Sequence, residues 1–260
     1  MTKLIGGEMG IVQQLSGVCA PRSLVKWGYY NRHMALYIPK RAVLNWYRYD
    51  VSFSAELIQS FVDGIERQAA ESIVNYEERK RINVVENHPE ENHIRIVHQG
   101  LDDETWDLPK IFREYFPSLQ RRSALLTVCG YFEHELDKLC SLYQSEKAFS
   151  QAPSDLKDKG IDRSTRYLKE VAGLNVHDTS QEWNDIKNIQ RVGNAIVHRG
   201  GKLRDRQDKA IVNFMNKTES LSRDDDGEIV LGKGFLSCVV HTYTNYFKLI
   251  SDSIKANENV

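Results

Sequence analysis

Arg191, Asn194 and His198, in the stretch IQRVGNAIVHRGG from Ile189 to Gly201, bring together three side chains that can hold an anion and move a proton. A guanidinium offers a rigid fork of donors to phosphate oxygens, a carboxamide both donates and accepts, and imidazole exchanges a proton near neutral pH. They lie three, four and seven residues apart, so on an α-helix they form one polar stripe. With Arg191 as zero and about 100° per residue, Lys187, Asn194 and His198 fall within about 60° of it, beside an apolar arc of Ile189, Val192, Ala195 and Ile196. The helix is expected to bury one side and present the other.

Several elements must hold that stripe in place. Asp178 or Thr179 is the expected N-cap of its helix, with Gln181 and Glu182 in the first turn. Trp183, Ile186, Ile189, Val192, Ile196 and Val197 supply more apolar surface than one narrow stripe needs, which places the helix inside a bundle or at a subunit contact. Gly200 and Gly201 stop it and leave His198 in the last turn, whose carbonyl end attracts a cation. Phe53, Leu57, Ile58, Phe61, Ile65, Ala69 and Ile73 predict a long helix from Ser52 to Glu78. Leu119, Leu125, Val128, Phe132, Leu136, Leu139 and Tyr143 predict a central helix from Ser118 to Gln144, with Pro117 near its start. On it, Glu133 is a candidate partner for Arg191, or a solvated carboxylate. Shorter helices are expected over Ile161 to Ala172 and Asp208 to Lys217, a small strand over Glu228 to Leu231, and a last helix from Phe235.

The INVVE and HIRIVHQG segments predict a two-stranded ribbon joined through NHPEEN. His88, His93 and His98 lie on it without a cysteine pair or an HExxH helix, so they are expected as surface histidines rather than metal ligands. No metal and no cofactor is expected. Residues 1–50 differ in character. From Met9 to Tyr49 there is no Asp or Glu, while Arg22, Lys26, Arg32, Lys40, Arg41 and Arg48 lie among Trp27, Tyr29, Tyr30, Tyr37, Trp46, Tyr47 and Tyr49. Such a segment can hold single-stranded nucleic acid by charge and stacking, or pack its rings on the body and leave its cations in water. The division expected is a basic aromatic-rich segment over 1–50, a long helix and ribbon over 51–110, and a helical bundle over 111–257. In class this is a mainly α protein with a smaller mixed α/β N-terminal appendage.

With 35 Lys and Arg against 36 Asp and Glu, a formal net charge of -1 excludes a polycation that coats nucleic acid, so any RNA contact must be local. The 41% hydrophobic content of 260 residues suffices for one substantial core. Cys19, Cys129, Cys140 and Cys238 form no CxxC pair and are expected as reduced core thiols of a cytoplasmic protein. Neither a signal peptide nor a membrane span is expected.

Arg191, Asn194 and His198, followed by Arg199, Gly200 and Gly201, resemble the signature of the HEPN superfamily, an arginine and a histidine a few residues apart near the end of an internal bundle helix. GNAIVHRGG is similar to the family's commoner RNxIVHxxG form, and the flanking LLTVCGYFEHELDKLC and EIVLGKGFLSCVVHTYTNYFKLI segments fit its helices, so the likeness runs from Ile111 to Lys255. It departs at Gly193, where an arginine most often precedes Asn194; Arg191, one turn earlier, is then left to reach the phosphate. The resemblance implies a HEPN-like helical bundle, a homodimer in which two stripes form a composite cleft, and metal-independent endoribonuclease activity. His198, Arg191 and Asn194 would be its catalytic residues, with Lys187, Arg199, Lys202 and Glu133 supporting the site or the RNA. The wider superfamily includes toxins with antitoxin partners and antiviral defence nucleases. The alternative is a non-catalytic RNA-binding or protein-interaction module of the same fold.

Overall fold

A computed structural model describes residues 42–88, 91–204 and 207–258, all within one compact unit, Arg41–Val260. The described chain is mainly helical. Most of the basic aromatic segment lies outside the described residues. Its described end forms α1 (Ala42–Trp46), which passes through a π-turn, Tyr47–Val51, into α2 (Ser52–Arg79). Trp46 is fully buried, edge-on to Phe247 at 5.4 Å, so this ring packs on the body. An unbroken α-helix would bring Asp50 under Trp46. The wider turn instead turns Val51 inward and leaves Asp50 beside Lys138, 3.0 Å away.

The buried face of α2 matches the expected one only in part: Ile58 and Ala69 are inside as expected, joined by Val62 and Tyr76, while Phe53, Leu57 and Phe61 are exposed. Hydrophobicity marked two adjacent faces of the helix, and packing used one. The ribbon forms as expected from β1 (Arg81–His88) and β2 (Glu91–His98), antiparallel, with a short β3 (Leu101–Asp102) added across a turn at Gln99 and Gly100, both at positive φ. His98 corrects the surface expectation. It is 7% exposed, its ring edge-on to Tyr76 and Phe112 at 5.3 and 4.6 Å. Strand alternation turns it into the small core of Tyr76, Leu108 and Phe112. The side chains of His88 and His93 lie outside the described residues.

A short α3 (Leu108–Lys110) and a second π-turn, Ile111–Tyr115, lead into α4 (Phe116–Lys147). Its core residues are those expected except Leu119, which is exposed. Then come α5 (Gly160–Glu170), α6 (Gln181–Arg199), α7 (Lys209–Met215), an antiparallel hairpin of β4 (Leu221–Arg223) and β5 (Ile229–Leu231), and α8 (Phe235–Glu258). Strand β4 had no sequence signal, since only Leu221 of its three residues is buried.

Helices α4 and α8 form the middle of the core. Phe132 stacks on Tyr243 at 4.2 Å and on Phe247 at 4.9 Å, and Trp183 of α6 stacks on Tyr246 at 5.3 Å. Helix α2 is tied across α4 by Arg121, whose guanidinium meets Glu66 at 2.8 Å with both groups mostly buried. The regions 42–79 and 111–257 thus share one core. Among the described residues no helix is long and apolar enough to cross a membrane.

Candidate functional site

Helix α6 starts at Ser180, not at Asp178 or Thr179: the Ser180 hydroxyl accepts from the Trp183 N–H at 3.1 Å. It buries Trp183, Ile186, Ile189, Val192, Gly193 and Ala195. Gly193 is where α6 meets α4, its added Cβ position lying 3.8 Å from Leu126 and 3.9 Å from Cys129. A side chain as large as arginine would have to displace that wall.

The other end of α6 is fixed as the double glycine predicts. Gly200 takes φ 63°, Gly201 φ 91°, and the Gly201 N–H donates to the Ala195 carbonyl at 3.0 Å. Gly201 O then accepts from Ile229 N at 3.0 Å, which ties the start of β5 to the helix end. Arg122, 6% exposed, donates to the carbonyls of Gly200 and Ile229 and pairs with Glu228 at 3.3 Å. The last turn of the helix is therefore anchored to α4 and to the hairpin.

Arg191, Asn194 and His198 all lie exposed along one side of α6, so the stripe faces solvent. Arg191 donates to the Asn188 carboxamide at 2.7 Å, a neutral partner that leaves its charge uncompensated. Neither Asn194 nor His198 has a side-chain hydrogen-bond partner among the described residues. Arg191 and Asn194 open into a recess of about 200 Å³ lined further by Arg199, Gln207, Asp208, Ala210 and Ile211. His198 is outside that lining, one turn further along the helix.

The supporting residues divide differently. Lys187 is held by Asp162 at 2.8 Å and by Gln190. Glu133 does not pair with Arg191; its carboxylate lies against Gly160 at the start of α5, 3.4 Å from where a Cβ would stand. Arg199 is gripped by both oxygens of Asp208, at 2.5 and 3.2 Å. Asp208 also accepts the Arg204 N–H at 2.7 Å, and Arg199 holds its carboxyl below the usual carboxylate range. Lys202 is exposed, and its backbone bridges to Glu228. Gln207, Asp208, Ala210 and Ile211 escaped the sequence reading because an arginine and an aspartate nine residues apart across a double glycine show no period. A larger groove of about 740 Å³ lies between the first turns of α6 and α8 and contains none of the predicted site residues. There the Glu66 carboxylate already receives the Gly234 N–H, at 3.5 Å.

No family model matches this chain, and no curated protein or solved structure matches it either.

Proposed function

We propose that this chain is a HEPN-like, metal-independent endoribonuclease acting as a homodimer, of the kind used in toxin–antitoxin or antiviral defence systems. The observation that carries the reading is the solvent-facing alignment of Arg191, Asn194 and His198 on α6, with the last two unengaged and ready for a ligand. In the reaction, the ribose 2′-oxygen attacks the adjacent phosphorus and the bond to the 5′-oxygen breaks. A neutral His198 takes the 2′-proton, and the protonated His198 of the second copy returns one to the leaving 5′-oxygen. Arg191 stabilises the charge gathering on the phosphoryl oxygens, and Asn194 orients phosphate or imidazole. The product is a 2′,3′-cyclic phosphate, and DNA, which lacks the nucleophile, is spared. A second copy is favoured by exposed apolar side chains on the two helices, Leu119 and Leu126 on α4 and Val197, next to His198, on α6.

The test is cleavage of mixed single-stranded and structured RNAs in EDTA with end-group analysis. Wild type is expected to leave cyclic phosphates, with Arg191→Ala and His198→Ala each at least about 100-fold slower. Intact RNA in the presence of a folded dimer rejects the nuclease. The second reading, a non-catalytic RNA-binding or protein-interaction module, is favoured by the neutralised state of Lys187 and Arg199, which leaves the stripe less basic than its sequence suggests. Retained RNA binding without cleavage would select it.

A further inference from the structure

The recess beside Arg191 has a charge pattern unlike that of a phosphate cradle. Among the described residues of its lining the one uncompensated cation, Arg191, belongs to the exposed stripe, whereas Arg199 and Asp208 cancel each other in a forked pair. What remains on the walls is neutral and polar: the whole Asn194 carboxamide, and the Nε2 amide of Gln207, whose Oε1 is occupied by Arg204 at 3.0 Å. Ile211, 2% exposed, and Ala210 give an apolar side. At about 200 Å³ the space is below the roughly 300–1,000 Å³ of pockets that enclose larger ligands, and suits a single planar ring system.

Resting on the ribonuclease reading, we propose that this recess is a nucleobase subsite that takes one unpaired adenine of the RNA next to the reacting phosphate. A free carboxamide matches adenine through paired hydrogen bonds, donating to N7 and accepting from the N6 amino group. Asn194 supplies both, and Gln207 supplies a second donor to a ring nitrogen. Unpaired bases splayed from single strands are what proteins read by sequence in RNA. Arg191, shared between recess and stripe, places the phosphate of the same nucleotide or its neighbour toward His198. Gln207 is thereby a specificity-determining residue. Asp208 is a positioning residue, since it holds Arg199 and the Arg204 backbone in place as the wall.

The test uses the full chain and fluorescein-labelled 2′-O-methyl pentanucleotides UUXUU, with X as A, C, G or U, which bind but cannot be cleaved by 2′-hydroxyl attack. Fluorescence anisotropy is expected to show UUAUU bound about tenfold more tightly than UUUUU. In Gln207→Ala and in Ala210→Trp, which fills the recess from an exposed position, that preference is expected to collapse to within about twofold. Cleavage of unmodified RNAs is mapped in parallel. Equal affinity for all four oligonucleotides together with cleavage overturns the subsite and leaves the nuclease standing. Adenine preference lost in both variants, without cleavage by wild type, supports the subsite and rejects the nuclease. A preference that survives both variants overturns the subsite, as does failure to bind any oligonucleotide.

Discussion

Asp208 joins the recess to the stability of the molecule. Its carboxyl is held down chiefly by the hydrogen bond from Arg199, against the opposing effect of burial, with the Arg204 N–H adding to the lowering. A folded pKa below the unfolded value near ~3.9 means stability that is fully present above that pH and lost as pH falls through the folded value. Asp208→Asn should therefore lower Tm relative to wild type most between about pH 5 and 8, with the gap narrowing below about pH 4. Thermal denaturation across that range checks the sign; a gap that widens in acid would contradict it. Arg122 is the more severe case. Its loss leaves the buried Ile229 carbonyl without that donor and takes a partner from the exposed Gly200 carbonyl and the part-exposed Glu228. Arg122→Ala is expected to cost about 2–3 kcal/mol in urea denaturation.

The ends of α6 are set by local chemistry. Ser180→Ala removes the cap on the Trp183 N–H and is expected to cost about 1 kcal/mol. The two glycines at the other end differ in a way that can be measured. A Cβ on Gly200 meets nothing within 4 Å, whereas one on Gly201 meets the Arg122 guanidinium at 3.3 Å. Gly200→Ala should carry only the left-handed backbone cost of about 1–2 kcal/mol, and Gly201→Ala more than that. Equal losses in denaturant would show that Arg122 yields freely. The long helices were legible because a period of 3.6 over many residues leaves little choice of structure, and the double glycine was legible because few other residues accept positive φ. The π-turns at Tyr47–Val51 and Ile111–Tyr115 were hidden, since each inserts a residue without changing composition. The stripe itself could be read from spacing within α6. The Asp208 wall could not, because it is set by how α7 folds back on α6.

At the largest scale, the described residues build a main core and a smaller one around Tyr76, Leu108 and Phe112, and α4 and α6 also carry exposed apolar groups. Leu126 and Val197 are 37% and 55% exposed, and aspartate at either is expected to leave the helical circular dichroism intact. If a second copy covers them, a buried carboxylate at the contact should weaken association by at least about tenfold in sedimentation equilibrium. Unchanged association in both variants moves the contact elsewhere.

The described cysteines add a consequence of another kind, because the core carries its own chemical clock. Burial pushes the Cys129 thiol, 3.3 Å from the Tyr243 hydroxyl, up to about 11 and Cys140 up to about 12, while Cys238, expected in the core, lies exposed on α8, whose apolar face turns Val239 and Val240 inward instead. Only a thiolate alkylates. Iodoacetamide at mildly alkaline pH should therefore modify Cys238 first, the partly buried Cys129 more slowly because its thiol is held protonated, and the buried Cys140 at the rate at which α4 parts from α5. Timed by mass spectrometry, the lag before the Cys140 adduct measures how often the centre of the protein opens.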